Sequence, residues 1–346
     1  MQTLETARAQ IAAYAGPSLT IMEVCGTHTH EIFRLGLRQI LPKNVHLVSG
    51  PGCPVCVTPP SYIDEALALA AMDNVTIATF GDLLRIPGSH GSLRTAREHG
   101  ATIRLVYSPL DALEMAKEQP EREIVFLSVG FETTVPGACA AVLAAHEQGI
   151  PNFSLLTANK TMPKAYEALM DNVDCYLYPG HVCAITGTAV CEELLAKGVS
   201  GVVAGFTMHE LVTAMAVILH HAQNKKPFFV NAYPRVVRPE GNREAQALIA
   251  RCMEAVASEW RGLGVIPDSG LALKQEFAAM DARKRFALPP MQSHTNPRCR
   301  CGDILRGAAN PHDCPLFDKA CTPDHPVGAC MVSSEGTCAA YYHYFH

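Results

Sequence analysis

Between Leu19 and about Tyr233 the chain repeats one phrase: a short β-branched or apolar run, a polar or Gly-rich loop, then an amphipathic segment. The runs LTIMEVC (19–25), VHLVSG (45–50), VTIATFG (75–81) and TIRLVYS (102–108) come first. EIVFLSVG (123–130), FSLLTANK (153–160), CYLYPG (175–180), GVVAGF (201–206) and PFFVNAY (227–233) follow. Runs of this length, apolar on both faces and alternating with helical segments, predict buried parallel strands joined in βα units. The intervening segments carry helical stripes, as in Tyr62, Ile63, Ala66, Leu67 and Ala70, with Ser61 and Asp64 suited to cap the start. The polar stretch LEMAKEQPERE (113–123) divides the runs into two similar parallel-sheet α/β halves, expected over 1–115 and 116–235 and facing a cleft. No exact internal repeat accompanies that division.

Beyond Tyr233 the pattern changes. GNREAQALIARCMEAVASEWRGLG (241–264) predicts one helix, with Ala245, Leu248, Ile249, Cys252, Val256 and Trp260 at helical spacing. A second helix is expected from about Leu271 to Phe286. From Leu288 the chain is rich in Pro, Cys and Gly and has little periodicity, so it needs staples other than an apolar core. Residues 236–346 are therefore expected to form a mainly helical, Cys-rich third domain.

Of 346 residues 48% are hydrophobic and 18% charged, enough for a substantial core and too apolar for global disorder. The net charge of −5 argues against a nucleic acid or an anionic membrane as the main partner. The opening MQTLETARAQIAAYAG lacks an apolar core of signal-peptide length, and the longest apolar stretch, about Leu211 to Leu219, is far short of the ~20 residues that span a bilayer. A soluble, cytoplasmic protein is expected. In a reducing compartment its 14 cysteines point to metal ligands or redox-active thiols rather than structural disulfides.

Ligands of parallel α/β sheets gather at the carboxyl ends of the strands, and the unusual residues of this chain fall there. The first strand ends in Glu23-Val24-Cys25-Gly26-Thr27-His28-Thr29-His30, a soft thiolate and two imidazoles opening a helix, able to bind a transition metal. The helix N-terminus is expected to lower the Cys25 thiol pKa. The competing reading is a buried cysteine beside two capping or surface histidines. The second strand enters Gly50-Pro51-Gly52-Cys53-Pro54-Val55-Cys56, whose C-x-x-C spacing serves either a reversible disulfide or half of a metal site. Gly130-Phe131-Glu132-Thr133-Thr134-Val135-Pro136 places a carboxylate at a third strand end, as a pocket wall or proton donor, or merely as part of a capped helix start. Asp82, Asn159, Lys160 and His181 are the polar tips of other strands. No G-x-G-x-x-G or Walker lysine loop is present, so a dinucleotide or nucleoside triphosphate has no sequence support. Cys139, Cys175, Cys183, Cys191 and Cys252 read as small buried hydrophobes.

The tail carries the strongest signal. Cys299, Cys301, Cys314, Cys321, Cys330 and Cys338 have wide single spacings, which suit a Cys₄ iron–sulfur cluster better than the paired knuckles of a zinc ribbon. Two cysteines exceed the need of one cluster, and a redox pair beside it accounts for them.

Taken together, CGTHTH (25–30), GPGCPVC (50–56), GFETTVP (130–136), YPGHVCAITG (178–187) and the tail CRCGDILRG…CPLF…CTP…GACMVSSEGTCAAYY (299–342) resemble the HypD family over essentially the whole chain. Those are maturation factors for the iron centre of nickel–iron hydrogenases. Cys183 stands where a serine is expected. The resemblance implies a scaffold on which one iron receives one carbon monoxide and two cyanides. Cys25 would hold that iron together with a cysteine of a small HypC-type chaperone, with His28 close by. Cys53 and Cys56 would be a redox-active pair, Glu132 a nearby polar contact, and a HypE-type partner the donor of cyanide, carried as thiocyanate. Releasing cyanide from thiocyanate takes two electrons, which gives a 4Fe–4S cluster and the C-x-x-C a role. Cys299, Cys314, Cys321 and Cys338 are assigned to the cluster and Cys301 and Cys330 to the surplus pair; spacing leaves Cys330 and Cys338 interchangeable as the fourth ligand. Two rival readings are a free-standing iron–sulfur thiol–disulfide reductase using Cys53 and Cys56, and a zinc-dependent binding module without catalysis. A reductase has no need of a Cys-His-His cluster beside its dithiol.

Overall fold

The computed structural model describes residues 3–292 and 295–344. Each apolar run becomes a strand, and the strands form two parallel sheets. The first holds β1 (Leu19–Glu23), β2 (Val45–Ser49), β7 (Cys175–Pro179), β8 (Ser200–Ala204) and β9 (Phe229–Asn231) in the order β2-β1-β7-β8-β9. The second holds β3 (Val75–Thr79), β4 (Ile103–Leu105), β5 (Glu123–Ser128) and β6 (Phe153–Thr157) in the order β4-β3-β5-β6. Every residue of β3, β6, β7 and β8 is buried, as strands covered on both faces require. Helices 4–12 and 208–222 pack on the outer face of the first sheet, where Ala7, Ile11, Leu211 and Met215 meet Ile21, Leu177 and Val202. The second sheet is closed by helices 109–118 and 135–147 on one side and by helix 60–70 on the other.

The two halves are similar but not consecutive. The strands of the second sheet are inserted between β2 and β7 of the first, so a boundary near residue 115 runs through the second sheet rather than between the two. Both sheets start with a strand that gains its next partner on one side and all later ones on the other. Such a reversal opens a crevice at the carboxyl ends. In the first sheet it lies between β1 and β7, where Cys25 and His181 emerge; in the second between β3 and β5, where Asp82 and Glu132 emerge.

The expected helix over 241–264 is a helix only from Arg243 to Cys252. Met253–Trp260 continues as strand β10 and pairs antiparallel with β11 (Gly264–Leu273) through a turn in which Gly262 and Gly264 adopt φ of 78° and 82°. The second expected helix is likewise β11 followed by short turns at Gln275–Met280 and Ala282–Arg285. Helix 60–70 begins at Pro60 with no side-chain cap; Asp64 instead accepts from the backbone and hydroxyl of Ser89. Among the described residues no helix is long and apolar enough to cross a membrane.

The tail has few regular elements, chiefly helices Cys301–Leu305 and Thr337–Tyr344. The latter docks on helix 26–34: Tyr341 meets Phe33 edge-on at 4.7 Å, and the Arg38 guanidinium lies over both rings. The β10–β11 turn bridges the tail to the CPVC segment: Arg261 N donates to Val57 O at 2.7 Å and Arg261 Nε to Thr58 O at 3.1 Å, while Gly262 O accepts from Arg306 Nη1 of the tail at 2.5 Å. The tail is thus held between the CGTHTH helix and the short CPVC helix (Pro54–Val57).

Candidate thiol and metal site

Cys25 is the last extended residue before helix 26–34, and its loop is fixed from below by Glu23. That buried carboxylate accepts from Cys25 N at 3.2 Å and from Thr29 Oγ1 at 2.5 Å, and burial pushes its pKa up to about 7 against these hydrogen bonds. Contrary to the sequence expectation, the Cys25 thiol pKa is raised. Burial outweighs the N–H groups of His28 and Thr27, and the carboxylates of Glu23 and Glu335 add to the rise. The helix N-terminus acts in the expected direction but is the smaller effect. A thiol so buried is a poor free nucleophile and a suitable anchor for a metal, which displaces its proton.

His28 is fully buried, and its pKa is lowered to about 3, first by burial. Its Nε2 lies 3.0 Å from the carbonyl of Gly205, which can only accept, so Nε2 carries the proton and Nδ1 keeps a free lone pair. No partner meets Nδ1. A neutral imidazole oriented through one nitrogen and open at the other is the form that ligates metals. Phe206 stacks near both His28 and His181, at 4.7 and 5.0 Å, so the two imidazoles belong to one wall of the crevice. His30 turns away and meets the Tyr344 hydroxyl.

The GPGCPVC loop lies against Cys25. Gly26 N donates to Gly52 O at 3.0 Å, and a Cβ added at Gly52 would stand 2.2 Å from Cys25 N. Gly52→Ala is therefore expected to displace the Cys25 loop and cost about 1–3 kcal/mol or more, read as a lowered denaturation midpoint; an unchanged midpoint would mean the two loops yield freely. Cys56 N donates to Cys53 Sγ at 3.3 Å, the short-range geometry of a C-x-x-C at a helix start. The Cys53 thiol donates to Ser333 Oγ at 3.4 Å, and Ser333 in turn reaches Asp82 Oδ2 at 3.5 Å. Two residues on, Glu335 accepts from Thr27 Oγ1 at 2.9 Å and packs over Gly26, where a Cβ would meet its own at 2.3 Å. One tail segment, 333–335, thus joins strand ends of both sheets over Cys25 and Cys53. Ser333 and Glu335 were missed by the sequence reading, and only the acid within the Cys-rich tail hinted at them.

Glu132 does not join this group. Its Oε1 accepts from Met162 N at 2.8 Å, its Oε2 has no partner, and burial pushes its pKa up to about 7. It faces Tyr166, whose hydroxyl also lacks a partner. A carboxyl with a raised folded-state pKa favours folding below its unfolded value near 4.3, and that contribution disappears as pH rises through about 7. Wild-type protein is expected to lose about 3 kcal/mol per such group across the window. Glu23 shares the shift, so Glu132→Gln should remove about half of this component. Urea unfolding at pH 5 and pH 8 checks it; an equal pH dependence in both proteins would refute it.

The tail thiols form a row. Cys56, its pKa raised well up by burial and then by Cys53, also feels Cys330 and Cys301. Cys301 shares a hydrogen bond with Cys330, and Cys330 Sγ lies 3.3 Å from Cys338 Sγ. Against the Cys330 hydrogen bond, burial and the charges of Cys301, Cys299 and Cys321 push the Cys338 thiol pKa up, and burial with Cys301, Cys314 and Cys321 raises that of Cys299 to about 11. Cys301 and Cys330 are thus the tail thiols whose charge acts on Cys56. Among the described residues no three His, Cys, Asp or Glu side chains are gathered to hold a single ion as they stand. Cys139, Cys175, Cys183, Cys191 and Cys252 are buried, as expected.

Fold and site together define a two-sheet α/β protein whose strand-end crevice is lined by thiols and roofed by a Cys-rich tail. Comparison with known proteins makes this specific. The HypD family model, described as "Hydrogenase formation hypA family", matches residues 2–345. The chain is 44% identical over 352 residues to the hydrogenase maturation factor HypD of Rhizobium leguminosarum bv. viciae, covering 97% of this chain and 91% of that one. It is 41% identical over 354 residues to that of Escherichia coli (strain K12), covering 99% and 95%, and 42% identical over 350 residues to the hydrogenase expression/formation protein HupD of Azotobacter chroococcum mcd 1, covering 97% and 92%. The chain belongs to the HypD family of hydrogenase maturation factors.

Proposed function

We propose that this chain is the scaffold on which the Fe(CN)₂CO unit of a nickel–iron hydrogenase is assembled, with iron as its cargo. Cys25 anchors the iron as a thiolate jointly with a HypC-type chaperone, and the free Nδ1 of His28 lies on the same helix. The observation that carries this reading is the Gly52–Cys25 contact, which puts a buried thiol anchor and a dithiol on adjoining loops under one tail segment. Low-spin iron with strong-field ligands requires a soft anchor in a site closed to water.

Cyanide delivered as thiocyanate by a HypE-type partner is released by two electrons and one proton, leaving a thiol on the donor. The Cys53–Cys56 dithiol can supply them and become a disulfide. Exchange with Cys301 and Cys330, the thiols next in the row, then restores the dithiol and moves the disulfide into the tail. Cys299, Cys314, Cys321 and Cys338 supply the four thiolates of a Cys₄ site: Cys299 feels Cys314 and Cys321, and Cys338 feels Cys299 and Cys321. A 4Fe–4S cluster held there would supply reducing equivalents to the surplus pair. These roles place the protein in the cytoplasm, where such thiols stay reduced.

The test is an infrared spectrum of anaerobically purified protein co-produced with its small partner. Metal-carbonyl and metal-cyanide stretching bands are expected. A brown sample without those bands, turning over disulfides with no partner present, would overturn the scaffold reading in favour of a thiol–disulfide reductase built on the same row.

A further inference from the structure

Arg261 is a buried cation with no anion. It sits at the turn between β10 and β11, is 6% exposed, and its backbone N and Nε are spent on Val57 O and Thr58 O. Its Nη2 is buried without any partner, and among the described residues no carboxylate pairs with it. A guanidinium taken out of water and left unpaired is strongly unfavourable, so a buried one signals an anion that belongs beside it. The space it lines is a cavity of about 110 Å³ whose wall also contains Cys299 and Cys301. Its charge is felt at the Cys301 sulfur. The backbone there is pressed close: Gly262 and Gly302 are in contact, and a Cβ on Gly262 would meet Gly302 Cα at 2.5 Å. Arg261 is thereby fixed beside the CPVC helix, its Nη2 unpartnered, on a cavity that it shares with Cys299 of the assigned four.

We propose that Arg261 is the counter-charge and hydrogen-bond donor to the anionic sulfur cluster of the tail, and that it holds the cluster's reduction potential up. The inference rests on the Cys₄ assignment to Cys299, Cys314, Cys321 and Cys338. A cluster bound by four thiolates is anionic and gains a further negative charge on reduction, so a fixed cation and an N–H directed at its sulfurs favour the reduced form. Arg261 acts through the cluster environment and is a positioning residue.

The experiment compares full-length wild type, Arg261→Gln and Arg261→Lys, each purified anaerobically. Iron and acid-labile sulfide are quantified, and the potential is then titrated by electron paramagnetic resonance with mediators. Arg261→Gln is expected to shift the reduction equilibrium about tenfold toward the oxidised cluster, a change of about 59 mV for one electron. Arg261→Lys keeps the charge but loses the Thr58 clamp and should stay near wild type. Absence of iron and sulfide from wild type would sink the Cys₄ assignment itself. Equal potentials in loaded wild type and Arg261→Gln would overturn the inference alone, leaving Arg261 as a clamp. Should Arg261→Gln not hold a cluster, pulsed resonance on reduced wild type decides. A nitrogen coupling that changes on guanidino-¹⁵N arginine labelling and vanishes in Arg261→Lys supports the proposal, and its absence refutes it.

Discussion

Cys25→Ala is expected to yield a folded chain with its tail chromophore intact and no retained iron cargo. The fold survives because the Cys25 loop is held by groups other than the thiol. Its backbone N is bound by Glu23, its carbonyl accepts from Thr29, and Gly52 packs against its main chain. Removing one small buried sulfur costs only about 1–2 kcal/mol. The acids acting on Cys25, Glu23 and Glu335, are hard oxygen donors already engaged by Thr29 and Thr27, so neither replaces a soft thiolate. Iron content and infrared bands of the variant, co-produced with its partner, provide the check. A variant that kept both would remove Cys25 from the anchoring role. The same sample should show unchanged visible absorbance, because the tail meets the Cys25 loop through Glu335, which the substitution leaves in place.

The strands were legible because strands buried on both faces need continuous apolar runs, and all nine predicted ones formed. Their distribution between the sheets was not. A run such as CYLYPG states that it is buried but not which strand lies beside it, and β7 pairs with β1 across more than half the first two hundred residues. The misread helix has a definite cause. Cys252, Val256 and Trp260 recur every four residues, a spacing that suits a helix and, being even, equally suits one face of a strand. The decisive signal was the turn Arg261-Gly262-Leu263-Gly264, where two glycines take positive φ. Reading that segment as a helix surface also hid Arg261. In the site, Cys25, His28, Cys53 and Asp82 were marked by their place at strand ends. Ser333 and Glu335 reach the crevice only through tertiary contacts, the latter 308 residues from Thr27. Glu132 shows the converse: a strand-end carboxylate whose structural contact is a helix start at Met162.

Replacing Cys314 by serine is expected to do wider damage than replacing Cys25. The segment after Leu288 has only short helices and turns, and its apolar contacts come from a few residues such as Ile304, Leu305, Leu316, Phe317 and Met331. Metal binding in such a segment is folding free energy. Loss of one thiolate from the Cys₄ set should bleach the visible absorbance and raise the protease sensitivity of the tail. The effect should then spread. Helix 337–344 docks on helix 26–34 through Tyr341 and Phe33, and Glu335 lies just before it on Thr27. A loosened tail releases both contacts and uncovers Cys25. Cys314→Ser should therefore lose cluster and iron together, whereas Cys25→Ala loses iron alone. Cys330→Ser, by contrast, should keep the chromophore and stop electron delivery to Cys53 and Cys56. An unchanged spectrum for Cys314→Ser would strike Cys314 from the ligand set. A bleached protein that still carried iron would show that the tail covers the crevice by packing alone, independently of its metal.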